Sequence, residues 1–95
     1  HLNTARDVQG SRAYWAARAG LEWGVAGVFA TSACAAASTT MAIETFSVVI
    51  TCPAPLVYTE GAATVTIFQI TAVASSGTFG AVDYVERSVS ASVER

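Results

Sequence analysis

Between residues 11 and 29 the chain reads SRAYWAARAGLEWGVAGVF, a helical stretch with three interior glycines and apolar side chains on almost every face. Each interior glycine costs a helix roughly 1 kcal/mol relative to alanine. A helix that keeps three of them must gain from the close approach of another element. At 100° per residue, Ala13, Ala17, Gly20, Gly24 and Gly27 fall within about 80° of one another and form one seam of small side chains. Leu21 and Val28 flank the seam on one side and Trp23 on the other. The opposite face carries Trp15, Arg18, Glu22 and Phe29, with Arg18 and Glu22 spaced for an i,i+4 ion pair. The expectation is a helix with two packing faces, its seam meeting either the domain's own sheet or a neighbouring molecule.

The helical pattern runs over 3–30. Thr4 and Asp7 are spaced for an N-terminal cap, the alternative being that the chain begins partway along a longer helix. Residues 31–42, small and polar with weak periodicity, read as a loop. In ETFSVVITC, Phe46, Val48, Ile50 and Cys52 alternate with Thr45, Ser47, Val49 and Thr51, which predicts a strand. PAPLVYTEGAA reads as a connection, because its prolines cannot serve a central ladder. TVTIFQITAVASS, rich in β-branched and aromatic residues, predicts a second strand. GTFGA is a turn. VDYVERSVSASVER predicts a third strand, with Val85, Val89, Ala91 and Val93 on one side and Glu86, Ser88, Ser90 and Ser92 on the other. The expected architecture is one α+β domain over 1–95, a long helix packed on a three-stranded antiparallel sheet within 43–95.

Charged residues make up only 13% of the chain and hydrophobic ones 53%, about half the usual charged share. All five basic residues are Arg, the net charge is -2, and no basic stripe offers a footprint for nucleic acid. His1 is the single histidine, so a zinc site lacks ligands, and no Ser or Cys has an arguable base beside it. No metal, cofactor or catalytic activity is expected. Asp83 and Glu86 flank Tyr84, where a weak calcium site competes with ordinary solvated charges. Glu22 is either a buried acid or the partner of Arg18. Cys34 and Cys52 are read as a disulfide, the alternative being two buried thiols. A loop of about 17 residues closed this way would contribute roughly 3 kcal/mol and would place the protein in an oxidising compartment.

The run DVQGSRAYWAARAGLEWG resembles the segment that follows the membrane-spanning part of type IV minor pilins and pseudopilins. FSVVITC, YTEG, FQITAVASSG and DYVER are similar to the sheet of the mannose-sensitive haemagglutinin (MSHA) pilus biogenesis protein P family. The resemblance covers almost the whole chain. It implies a pilin-like fold and a non-enzymatic subunit, held in the inner membrane by an upstream helix with its ectodomain in the periplasm. Such a subunit is cleaved by a prepilin peptidase and assembles with other pilin subunits into a filament at the cell surface. On this reading, about 20 apolar residues preceded by a short basic leader lie upstream of Leu2. The sequence departs from many major pilins in cysteine placement, since Cys34 and Cys52 would join the post-helix loop to the first strand. Rival readings are a type II secretion pseudopilin and a secreted binding or adhesion module anchored by Tyr58 and Phe79.

Overall fold

The structure, a computed structural model, describes the backbone from Leu2 to Arg95 and the side chains from Val8 onward. His1 and the side chains of the expected Thr4–Asp7 cap lie outside the described residues. Helix α1 spans Leu2–Thr31. It ends where Ser32 turns left-handed, at φ 55°, and donates its N–H to the Val28 carbonyl at 2.7 Å, which closes the final turn. Arg95 adds a second closure from the far end of the sequence. Its Nη2 donates to the Phe29 carbonyl at 2.9 Å and its guanidinium lies 5.3 Å from the centre of the Phe29 ring. A cation is favoured there by the helix dipole.

The sheet has five antiparallel strands, not the three expected: β1 (Ser38–Ile43), β2 (Phe46–Thr51), β3 (Leu56–Glu60), β4 (Ala63–Ser76) and β5 (Val85–Glu94). The α+β class stands and the strand count is corrected. One added strand, β1, lies in the stretch read as a loop, 31–42. It pairs with β2 through a two-residue turn, Ile43 opposite Phe46. That turn, Glu44–Thr45, has neither Gly nor Asn to announce it. Glu44 takes φ 54°, a left-handed conformation that costs a residue with a Cβ about 1–2 kcal/mol. The other added strand, β3, lies in the stretch read as a connection. Pro53 and Pro55 sit in the joint between β2 and β3, so neither ladder needs their missing N–H.

Strand β4 is the spine of the sheet. Along one edge it pairs first with β2 and then with β3, and along the other with β5. From Thr51↔Thr71 to Leu56↔Ile67 the first edge advances five residues (51 to 56) while β4 advances four (71 to 67). The proline joint thus holds one extra residue, as a bulge does. β2 and β3 form one broken arm of a long hairpin whose tip is Gly61–Ala62. Gly61 has φ 63°, and glycine at the first central position suits a two-residue hairpin turn.

One sheet face carries Phe46, Val48, Ile50, Phe68, Ile70, Ala72, Ala74 and Val93, all buried against the helix. The other carries hydroxyls, among them Thr71 and Ser90, whose oxygens lie 3.1 Å apart across β4 and β5. The core is asymmetric in its chemistry. The sheet supplies the bulk, with Phe46, Ile70 and Val48 fully enclosed, while the helix supplies Ala13, Ala16, Ala17 and Val28. Each large side chain stabilises by about 1.5–3 kcal/mol through its burial. α1 packs on β2, β4 and β5, touches β1 at its border and, among the described residues, makes no contact with β3. The β3–β4 hairpin therefore overhangs the helix, with Leu56, Val57 and Tyr58 exposed.

Candidate functional site

The small-residue seam lies on the sheet. Ala13 and Ala17 are fully buried. A Cβ built on Gly20 would sit 2.6 Å from Val48 Cγ1, and one on Gly24 would sit 3.1 Å from Ile70 Cγ2 and 3.2 Å from Ile50 Cγ2. Two of the three glycines that open the question are thus accounted for by helix-on-sheet packing. Gly27 is different: a Cβ there would meet nothing within 4 Å. Its space opens into a groove of about 310 Å³ between the last turns of α1, the post-helix loop and β2, lined by Trp23, Ala30, Thr39, Ile50 and the cystine among others. No charged side chain lines it.

The wall of this groove opposite the helix is fixed by a disulfide between Cys34 and Cys52, whose Cα atoms are 6.4 Å apart. Both cysteines were singled out in the sequence, and the bond pins the post-helix loop to the start of the proline joint. The Ala37 carbonyl accepts the Cys52 N–H at 2.8 Å beside it, ending the β1–β2 ladder.

The flanking helix residues divide. Val28 is fully buried and Leu21 is half-buried against the core. Trp15 and Phe29 are exposed, so the outward face of α1 is aromatic, and Trp23, also exposed, stands at the edge of the groove. Arg18 lies over the Trp15 ring, 5.6 Å from its centre, and 3.6 Å from Glu22. Glu22 is therefore an exposed ion-pair partner and not a buried acid. At the N-terminal half of the helix, Arg12 Nη2 meets Glu44 Oε2 at 3.1 Å, linking α1 to the strained β1–β2 turn. With both side chains half exposed, that pair stabilises by at most about 1 kcal/mol.

Sequence reasoning missed Arg87. It stands among the inward-pointing positions of β5, between Val85 and Val89, and its guanidinium lies against Gly10. A Cβ at Gly10 would collide with it. The signal was present, since residue 87 shares the parity of the apolar series. Its charge left it out of that series.

Asp83 and Glu86 do not form an open carboxylate pair. Tyr84 donates its hydroxyl to Glu86 Oε1 at 2.8 Å. That acceptor, and the repulsion of its charge, hold the Tyr84 hydroxyl above its ordinary pKa. Phe79 stacks edge-on against Tyr84, centroids 5.4 Å apart. It is the most exposed large apolar side chain among the described residues, at 85%. Tyr58 pairs across to Val65, near the opposite end of β4. Tyr58 and Phe79 are thus about 35 Å apart along the sheet and cannot line a single ligand site. No helix among the described residues is long and apolar enough to cross a membrane.

No family model, curated protein or solved structure matches the chain.

Proposed function

We propose that this protein is a non-enzymatic subunit of a larger helical assembly, a minor pilin-like component of a type IV, MSHA-type pilus. Its partners are other pilin subunits. In the whole protein, an upstream membrane helix holds the ectodomain in the periplasm before assembly. The observation that carries this reading is the outward face of α1, where Trp15 and Phe29 remain exposed although the opposite face already packs on the sheet. Exposed aromatic surface on a folded domain marks an interaction site, and aromatics dominate the energetics of such sites. From Ala13 to Gly24 the seam is occupied by the sheet, so the aromatic face is the one offered to neighbours.

The test is site-specific photocrosslinking in cells that make the complete protein. A benzophenone side chain replacing Trp15 should crosslink to other pilus subunits in sheared filaments. The same group at Ser90, on the hydroxyl-rich sheet face, should not. Crosslinks from neither position, with the protein absent from the filaments, would refute the proposal.

A further inference from the structure

The sheet has two tips, and they stand at opposite ends of the helix. The β3–β4 turn, Gly61–Ala62, lies beyond the C-terminal end of α1, whereas residues 77–84, which join β4 to β5, lie toward its start. Ile70 of β4 stands against Gly24. From that contact Ser76, the last residue of β4, is roughly 20 Å away at the rise of a strand, and Gly10 is roughly 21 Å away at the rise of a helix. The two displacements run the same way, because Arg87, two residues past the pair Ser76↔Val85, lays its guanidinium against Gly10. The 77–84 turn is therefore level with the first turns of the helix.

From Ser75 to Val82 the chain carries no charge, and Phe79 and Val82 are 85% and 69% exposed. The turn is nevertheless fixed in shape. Gly77 takes φ 88°, and a Cβ there would sit 2.8 Å from the Asp83 carbonyl oxygen, so glycine is what lets the two legs of the turn approach. The Ala81 N–H donates to the Thr78 carbonyl at 2.9 Å and the Tyr84 N–H donates to the Ala81 carbonyl at 3.2 Å. Phe79 leans edge-on against Tyr84, and Tyr84 donates its hydroxyl to Glu86 of β5. The aromatic pair thus has an apolar end in the turn and a polar end on the sheet. Little conformational entropy remains to be lost when such a turn meets a surface.

We infer that the 77–84 turn seats Phe79 and Val82 in the headgroup layer of the membrane before assembly. This rests on the assembly reading, in which a membrane helix lies upstream of α1 and brings the bilayer surface to this end of the fold. Leu2 lies roughly 12 Å beyond Gly10, a gap that the projecting turn and a headgroup layer of about 5–7 Å close between them. Position, not exposure, singles out this turn. Leu56, Val57 and Tyr58 belong to the opposite tip, about 35 Å away along the sheet, and Trp15 and Phe29 lie along the shaft of the helix. An apolar ring backed by a hydroxyl-bearing aromatic suits the boundary between headgroups and acyl chains. Asp83 and Glu86 stand at the base of the turn beside Arg87. The contact is therefore shallow and is driven by apolar burial, not by attraction to anionic lipid. With the helix and the turn both held, the ectodomain cannot spin about the helix axis, and each unassembled subunit presents its aromatic face at one angle to the bilayer.

Depth-dependent fluorescence quenching tests the contact. The 95-residue protein, with Trp15→Phe and Trp23→Phe to remove its own indoles, is held by an N-terminal histidine tag on phosphatidylcholine vesicles that carry a nickel-chelating lipid. Phe79→Trp then reports on the turn, Val82→Trp is a second probe of the same turn, and Tyr58→Trp reports on the far tip. With acyl chains brominated, the indoles at 79 and 82 should each lose about half their emission, as side chains at interfacial depth do. The indole at 58 should lose none. Adding phosphatidylglycerol should leave all three unchanged. No quenching at 79 and 82, equal quenching at 58, or quenching that appears only with phosphatidylglycerol would each overturn the inference. Where 79 and 82 stay bright but position 15 still crosslinks to filament subunits, the assembly reading survives and the lipid contact does not. Where 79 and 82 are quenched but position 15 crosslinks to nothing, the lipid contact stands and the assembly reading falls.

Discussion

Gly20 and Gly27 lie about two turns apart on one seam, and their surroundings are opposite. At Gly20 the helix backbone presses on Val48 and Ile50, while at Gly27 it stands over open space. The same residue type on the same face thus marks contact at one point and clearance at another. The difference comes from the partner. Under Gly20 lies β2, paired on both sides, whereas near Gly27 the wall is a loop fastened by one covalent bond. A row of small residues in a sequence therefore reports that something approaches the helix, but each position needs its own neighbour.

The comparison breaks most severely if the loop wall is released. Replacing both Cys34 and Cys52 by Ser should cost about 3 kcal/mol, visible as a lower melting temperature. Amide exchange should rise first in 32–39. Unchanged stability would mean that the wall is held by something else. A smaller contrast is expected from bulk: Gly20→Leu should destabilise by roughly 1–3 kcal/mol through overpacking, while Gly27→Leu, in open space, should stabilise by up to about 1 kcal/mol through helix propensity. Equal penalties in urea unfolding would erase the distinction. Alanine sharpens it further. Gly27→Ala should stabilise by about 1 kcal/mol. Gly24→Ala should fall short of that gain, because its Cβ would sit 3.1 and 3.2 Å from Ile70 and Ile50.

The smallest effect separates the two ends by pH. The Tyr84 hydroxyl is held above its ordinary pKa by its hydrogen bond to Glu86. Its contribution is complete below the ordinary tyrosine value and is lost as pH rises through the raised one. Ultraviolet titration should show the Tyr84 hydroxyl ionising late, and Glu86→Ala should make it ionise earlier. Amide exchange around Gly27 should not follow that titration.

The parts of this fold legible in the sequence were those with strong alternation: β2, β4 and β5 were expected at or near their observed places, and so was α1. The cystine was legible because two cysteines leave one pairing. β1 escaped because its inward residues, Thr39, Met41 and Ile43, are only half-buried, so burial had little to write into the pattern. β3 escaped because both its faces are exposed and because Pro53 and Pro55 lie just before the strand and not in it. The groove was not legible at all. It exists because α1 barely touches β1, and a gap between two elements leaves no periodicity in either.

The broken arm opposite β4 has a mechanical consequence. A helix of 30 residues and a strand of 14 are each about 45 Å long, so both must run along the 59 Å axis of a body only 21 and 20 Å across. Tension along that axis loads the β4 ladders in shear, with many hydrogen bonds sharing the force at once. Tension across it peels β1 from β2 one residue pair at a time, until the tear reaches Cys52 and meets a covalent stop. A body built this way resists pulling lengthwise far better than sideways.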